Sequence, residues 1–498
     1  MATIKPASPA AAPASGAKQW GLWVAFAALI GVVLLPPADG LPIAGQYMLG
    51  VLLFAVVLWM TEAVDYAVSA VIIAALMAFL LGMAPDVAKP AQALGTAGAL
   101  TLALGGFANT ALALVAAALF IAAAMTVTGL DKRIALWILS KVGTGTRRVV
   151  IGGILVGFVL AFFVPSATAR FACVAPIILG IILAFGADRK SRFAGLLMIT
   201  AAQTVSIWNV GIKTAAAQNM VAIGFIEKIL KGSITWLDWF IAAAPFSALM
   251  SIVLYFIMTR MMPPETEEIA GGKEAIRRAL AELGPMKVSE MKLMFIMLAL
   301  LALWSTEKVV HPFDTSSTTI AAIAIMFLPV IGIMDWKQVQ SRIPWGTVIL
   351  FGIGISLGTA LLQTKAAGWL ANLIVTYLGL KTMPAFGILA AMSLFLIVVH
   401  LGFASATALA SAMIPIVISV LQQVETPGIN VIGMAMVLQF VVSFGFILPV
   451  NAPQNMVAYG TDTFEARDFV RTGVVITVAG YLLVLLMGAT YWTWLGFV

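Results

Sequence analysis

Arg170 and Lys213 lie inside long apolar stretches, in the strings PSATAR (165–170) and GIKTAAAQN (211–219). An ionised side chain at membrane depth is costly and usually functional. No acidic residue is close to either in sequence. A bound anion is therefore one natural counter-charge, and Arg170 could fork onto a carboxylate or a sulfonate. The alternatives are snorkelling to an interface or pairing with a carboxylate of another segment, such as Glu62, Asp65 or Glu307. Small polar residues accompany both cations: Ser166 and Thr168 beside Arg170, and Thr214, Ala215 and Asn219 after Lys213. The same types recur far along the chain, as Ser405 and Thr407 in GFASATA (402–408) and as Asn451, Ala452, Pro453 and Asn455 in NAPQNMVAYG (451–460). Such side chains can bind an anion or satisfy neighbouring backbone. His400, five residues before Ser405, reads as a satisfied structural histidine before it reads as a proton relay. With Ser166, Lys213, Ala215, Ser405 and Asn451 it completes a candidate ion-coupling set.

The recurrence is ordered. LWMTE at 58–62 returns as LWSTE at 303–307, SATA at 166–169 returns at 405–408, and QNMVA at 218–222 returns at 454–458. The offsets are 245, 239 and 236, so three matches run in one order at nearly constant spacing. Together they divide the chain into two homologous halves, 45–262 and 290–498.

Composition says what medium those halves occupy. Of 498 residues 62% are hydrophobic and 10% charged, with a mean hydropathy of +1.07. A water-soluble fold cannot bury that much apolar surface, so the lipid bilayer is the solvent. Eleven runs are long enough to cross it, near 21–37, 46–64, 67–84, 108–128, 192–210, 237–260, 292–310, 318–334, 345–363, 430–448 and 472–494. Two further stretches, 148–186 and 385–423, each hold two apolar arms about a small-residue tip and predict re-entrant hairpins. Residues 1–20 predict a disordered cytoplasmic tail, 21–44 a first span and loop, and 263–289 a charged cytoplasmic linker with a short amphipathic helix. With the N-terminus inside, the inward loops and tail carry 20 of the 28 basic residues and the outward loops 6. That asymmetry accounts for the net charge of +7 without nucleic acid as a partner. Each half then has five spans, an odd number, which inverts one half against the other. Inverted repeats with broken helices predict a secondary transporter whose site lies at mid-membrane, where exposed backbone lines a cavity.

The residues resemble the divalent anion/sodium symporter family over nearly the whole chain. ILPVNAPQNMVAYG at 447–460 is similar to that family's Leu-Pro-Val-Ala-Thr-Pro-Pro-Asn pattern. PSATAR is similar to the Pro-Ser-Asn-Thr-Ala-Arg tip of the 2-oxoglutarate/malate, tartrate/succinate and citrate/succinate exchangers. TGLDKRIALWILSKVG at 128–143 resembles the stretch before the first hairpin. The resemblance implies an all-α elevator-type transporter, a homodimer, and a small anionic substrate held by both tips and both breaks. The site it implies comprises Ser166, Ala167, Thr168, Arg170, Lys213, Thr214, Asn219, Ser405, Ala406, Thr407, Asn451, Ala452, Pro453 and Asn455. Two departures bear on coupling. Both Ser-Asn-Thr tips read Ser-Ala-Thr, with Ala167 and Ala406 where the family's asparagine reaches substrate and sodium. Lys213 adds a fixed cation near the first tip, where its ammonium could replace a sodium ion by charge. Exchange or proton coupling is the expectation in place of sodium symport, and no other cofactor is expected.

Other classes fit less well. Cys173 is the single cysteine and His311 and His400 the only histidines, which disfavours a disulfide or a cysteine or histidine metal site. No nucleotide loop or nucleophile–base pair stands out, and the glycines of LFGIGISLG (350–358) suit close helix packing. A receptor would need a sizeable sensing domain, and the longest link is short. A sulfate or sulfonate carrier remains an alternative within transport, and a membrane-embedded enzyme or channel an alternative outside it.

Overall fold

A computed structural model describes residues 15–143, 145–184, 186–265 and 272–498. The expected tail lies outside the described residues up to position 14, and α1 (Ser15–Leu34) already takes up its last six positions. Regular structure among the described residues is helical, as a membrane interior demands of a chain that must satisfy its own backbone.

The first half runs α2 (Ile43–Thr61), α3 (Tyr66–Met83), α4 (Thr96–Leu104), α5 (Thr110–Thr128) and α6 (Leu130–Val142). A hairpin follows, α7 (Thr146–Phe163) and α8 (Ala167–Ala184), then α9 (Arg192–Gly211), a 3-10 turn at Lys213–Ala215, α10 (Ala217–Leu230) and α11 (Trp236–Met261). In the charged linker α12 (Gly272–Glu282) packs on α6, and Arg133 of α6 holds the linker's end through Glu290 at 3.1 Å and the Gly284 carbonyl at 3.0 Å. The second half repeats the order with α13 (Val288–Ser305), α14 (Thr315–Phe327), α15 (Trp336–Val339), α16 (Trp345–Gln363) and α17 (Ala366–Tyr377). Its hairpin is α18 (Ala385–His400) and α19 (Ala406–Gln423). There follow α20 (Val431–Val442), a 3-10 turn at Pro449–Asn451, α21 (Pro453–Tyr459), α22 (Ala466–Ala489) and the terminal α23 (Tyr491–Trp494). Pairing α2 with α13 and so on to α11 with α22, equivalent helices start 230 to 249 residues apart.

Ten of the helices are long and apolar enough to cross a membrane. The eleven runs read from sequence each contain helix, but α14 and α20, with 13 and 12 residues, fall short of a full span. For α20 the cause is visible: the chain leaves helical geometry at Ser443 and re-forms helix only at Pro453. Both hairpins carry a proline in the second arm, Pro176 in α8 and Pro415 in α19, 239 positions apart.

The glycines of α16 let its neighbours approach closely. A Cβ on Gly354 would lie 2.5 Å from Ser411 Oγ of α19, and one on Gly358 would lie 2.6 Å from the ring of Pro415. The tightest contact is on the turn after α4, where a Cβ on Gly106 would stand 2.0 Å from the Gly352 carbonyl oxygen. Neither backbone can yield there without separating the elements. Gly106→Ala is therefore expected to destabilise by about 1–3 kcal/mol. A lower thermal midpoint of the detergent-purified protein is the check.

Candidate functional site

One cavity of about 550 Å³ collects residues from both halves. The first hairpin tip contributes Ser166, Ala167 and Thr168, and the second contributes Ser405, Ala406 and Thr407. From the two breaks come Thr214 and Gln218, then Ser443, Ala452, Pro453 and Gln454. His400 adds its imidazole, and α5 and α16 close the opposite wall with Thr126 and Thr347. Exposed Arg342 and Pro344, with half-buried Tyr66, mark the mouth.

The tips are built by capping. Ser166 Oγ accepts from Ala169 N and Ser405 Oγ from Ala408 N, each at 3.3 Å, so each serine starts the second arm of its hairpin. The first residues of α8, α10 and α19 all line the cavity, which aims three helix N-termini into one space. Free N–H groups and the positive ends of the helix dipoles favour an anion there. Among the described residues the lining supplies hydroxyls and carboxamides and no carboxylate, and Arg342 at the mouth is its one charged group.

The predicted site residues divide into two sets. Ser166, Ala167, Thr168, Thr214, Ser405, Ala406, Thr407, Ala452, Pro453 and His400 meet at the cavity. Arg170, Lys213, Ala215, Asn219, Asn451 and Asn455 do not line it, and their polar atoms hold backbone together behind the wall. Asn219 donates to Asn209 O at 2.7 Å and Ile212 O at 3.2 Å, and Asn455 donates to Gly445 O at 2.8 Å. Each asparagine thus reaches the carbonyl ten residues before it and latches its own broken helix. Arg170, fully buried, donates to Val164 O at 3.0 Å, Ala215 O at 3.1 Å and Asn209 Oδ1. In the second half His400 Nε2 donates to Asn451 O at 3.3 Å. Ala215 and Asn451 are the closing residues of the two 3-10 turns. A basic side chain from each hairpin therefore grips the equivalent carbonyl of its own half.

Asn451 ties the second tip down from the other direction. Its amide nitrogen donates to His400 O and Phe403 O, both at 3.0 Å, and to Leu401 O at 3.4 Å, while Oδ1 accepts from Leu448 N at 3.1 Å. Lys213 Nζ donates to Ile234 O at 2.7 Å, ahead of α11. The ammonium thus points away from the cavity and does not stand at the first tip as a substitute cation. Neither Arg170 nor Lys213 forms an ion pair among the described residues, with Glu62, Asp65, Glu307 or any other acid. Glu307 instead accepts from Thr315 Oγ1 at 2.7 Å and Trp236 N at 3.4 Å, which joins the halves at a helix start.

Sequence reasoning missed Gln218, Gln454, Ser443 and Arg342. The signal for the first two was in view: the repeated QN pair places glutamine beside asparagine at the start of a helix, where adjacent side chains point about 100° apart. One then faces the break and the other faces the cavity.

The family profile described as the sodium:sulfate symporter transmembrane region matches residues 16–498. A membrane protein of Cupriavidus necator is 56% identical over 481 residues, covering 96% of this chain and 93% of that one. The citrate/succinate antiporter of Escherichia coli is 25% identical over 487 residues, covering 94% and 97%. Among solved structures, the YdaH transporter of Alcanivorax borkumensis superposes with a TM-score of 0.52 at 14% identity over 85% of this chain and 96% of that one, a likeness of fold. The profile spans nearly the whole chain and both hairpins, and the chain belongs to the sodium:sulfate symporter transmembrane-region family.

Proposed function

We propose that the protein is a secondary active transporter of a small organic anion of the di- or tricarboxylate type, working by exchange or proton coupling and independent of sodium. The observation that carries this reading is the cavity itself: two hairpin tips and two broken helices present hydroxyls and three helix N-termini, with no carboxylate on the wall. The antiporter name borne by the Escherichia coli relative supports carboxylate exchange. Sodium is disfavoured by the donor set. Ala167 and Ala406 offer the cavity no side-chain oxygen, and Asn451 spends its amide on backbone. Sulfate or a sulfonate is the second reading, favoured by the family's description.

The reading includes movement as an elevator. Gln218 Nε2 donates to Ser443 Oγ at 3.2 Å and Gln454 Nε2 to Ser206 Oγ at 2.9 Å, which bind the broken helices of opposite halves into one body. That body would slide against α5 and α16 within a homodimer in the bacterial inner membrane. With the N-terminus cytoplasmic, the mouth marked by Arg342 and Tyr66 would open on the inner side. The deciding experiment is uptake of labelled succinate or citrate into proteoliposomes preloaded with unlabelled anion. Counterflow is expected to change by less than about two-fold when sodium is replaced by choline; strict sodium dependence would overturn the coupling assigned here. Unchanged uptake of sulfate with no carboxylate counterflow would favour the second reading.

A further inference from the structure

The two glutamines of the QNMVA repeat are a duplicated polar feature of the cavity, one from each half. Each is the second residue of the helix that follows a break, α10 or α21. Both are buried, Gln218 at 6% and Gln454 at 3% exposure, yet both line the cavity. Each gives its amide nitrogen to a serine of the opposite half, Ser443 or Ser206. At Ser206 the hydroxyl already donates to Ala202 O, so it accepts from Gln454 Nε2 and Oε1 is left over; the equivalent Gln218 is arranged the same way on Ser443. Neither Oε1 has a protein partner among the described residues, and neither is sealed away from open space. Two carbonyl oxygens, one from each half, therefore face the volume a substrate would fill.

A carbonyl oxygen is an acceptor only. Set against a fully ionised dicarboxylate, which is also acceptor-only, it repels. Set against an anion that carries a hydroxyl, it accepts a hydrogen bond while Ser166, Thr168, Thr407 and the Ser443 hydroxyl meet the carboxylates. A buried polar group built to bond a substrate hydroxyl discriminates strongly against the analogue that lacks it, because it is then left bare. We infer that Gln218 and Gln454 are specificity-determining residues that select hydroxy-substituted carboxylates over their unsubstituted analogues. The inference rests on the carboxylate reading of the same cavity.

Succinate and malate differ by one hydroxyl and serve as probes. Binding of each to purified full-length protein in detergent, by titration calorimetry, is expected to favour one malate enantiomer over succinate by about ten-fold. Malate has one hydroxyl, so at least one of Gln218→Leu and Gln454→Leu is expected to weaken that malate by several-fold, and neither is expected to weaken succinate. Ser443→Ala and Ser206→Ala remove the tether and keep the carboxamide, and are expected to retain the malate preference within about three-fold. If a leucine variant does not accumulate folded, the corresponding asparagine variant withdraws the carbonyl by one methylene and should lose the preference in the same way. Equal binding of malate and succinate to the wild type overturns the inference and leaves the carrier reading intact. So does a preference that survives in both glutamine variants, or one lost equally in the serine variants. Absence of binding by either acid, or by citrate, overturns both.

Discussion

Arg170→Leu is expected to reduce transport to below about 1% of wild type, although the side chain does not touch the cavity. The guanidinium satisfies Val164 O at the first tip, Ala215 O at the end of the first 3-10 turn, and Asn209 Oδ1 on α9. Leucine leaves three buried acceptors bare, at about 1–3 kcal/mol each. The loss falls on the joint between tip and break, so Ser166, Ala167 and Thr168 lose their fixed position relative to Thr214 and Gln218. Arg170→Lys keeps the charge but has one nitrogen where two diverging ones are needed. It is expected to recover less than about 10% of transport, since a fork cannot be replaced by a point donor. Counterflow in proteoliposomes, normalised to folded protein in the membrane, measures both. Near-normal transport by the lysine variant would show that charge, and not the fork, is what the site requires.

Asn451→Ala carries the second large effect. One side chain closes four hydrogen bonds, three from its amide nitrogen to the second tip and one from Leu448 N to its oxygen. Losing them is expected to lower the thermal midpoint by about 5 °C or more and to abolish counterflow. Asn451→Asp separates the causes. It has the same shape and keeps the acceptor for Leu448 N, but it turns three donated bonds into three carbonyl–carboxylate repulsions. It is expected to be worse than alanine. An aspartate variant as active as wild type would mean that the amide donors do not hold the tip.

Both variants bear on how much of the site could be read in the sequence. The two halves, the hairpins and the breaks were legible because duplication leaves matched strings and because lipid forces long apolar runs. Short helices such as α6 and α17 are not legible as spans, since neither is long enough to cross the membrane, although the α6 stretch carries part of the family resemblance. At the site, residue type identified the neighbourhood and not the direction a side chain takes. Ser166, Thr168, Ser405 and Thr407 face the cavity because a tip has no other place to put them. Arg170 and Lys213 drew attention by charge alone, yet both donate to backbone carbonyls, at Val164 and Ala215 for one and at Ile234 for the other, and not into the cavity. The QN pair makes the same point at single-residue resolution. Asn219 turned toward its break and Gln218 toward the other half, and only the register of α10 decides which is which.

α9 is buried from Phe193 to Gly211 and is the least apolar of the ten long helices among the described residues. It can carry Thr200, Gln203, Thr204, Ser206 and Asn209 because no lipid ever touches it in the finished fold. During synthesis the position is different. Gln203 donates to Phe446 O, 243 residues later, and Ser206 accepts from Gln454, 248 residues later. At about 5–20 residues per second, those partners emerge some tens of seconds after α9 has left the ribosome. For that interval Gln203 stands without its second-half partner, while Thr204 and Ser206 donate to carbonyls of α9 itself and Asn209 accepts from Arg170. α11 hydrogen-bonds α9 through Ser247 and Trp239 and is the first long helix made after it. α11 therefore covers α9 from lipid, through the Ile207 and Val210 carbonyls, before the second half is made.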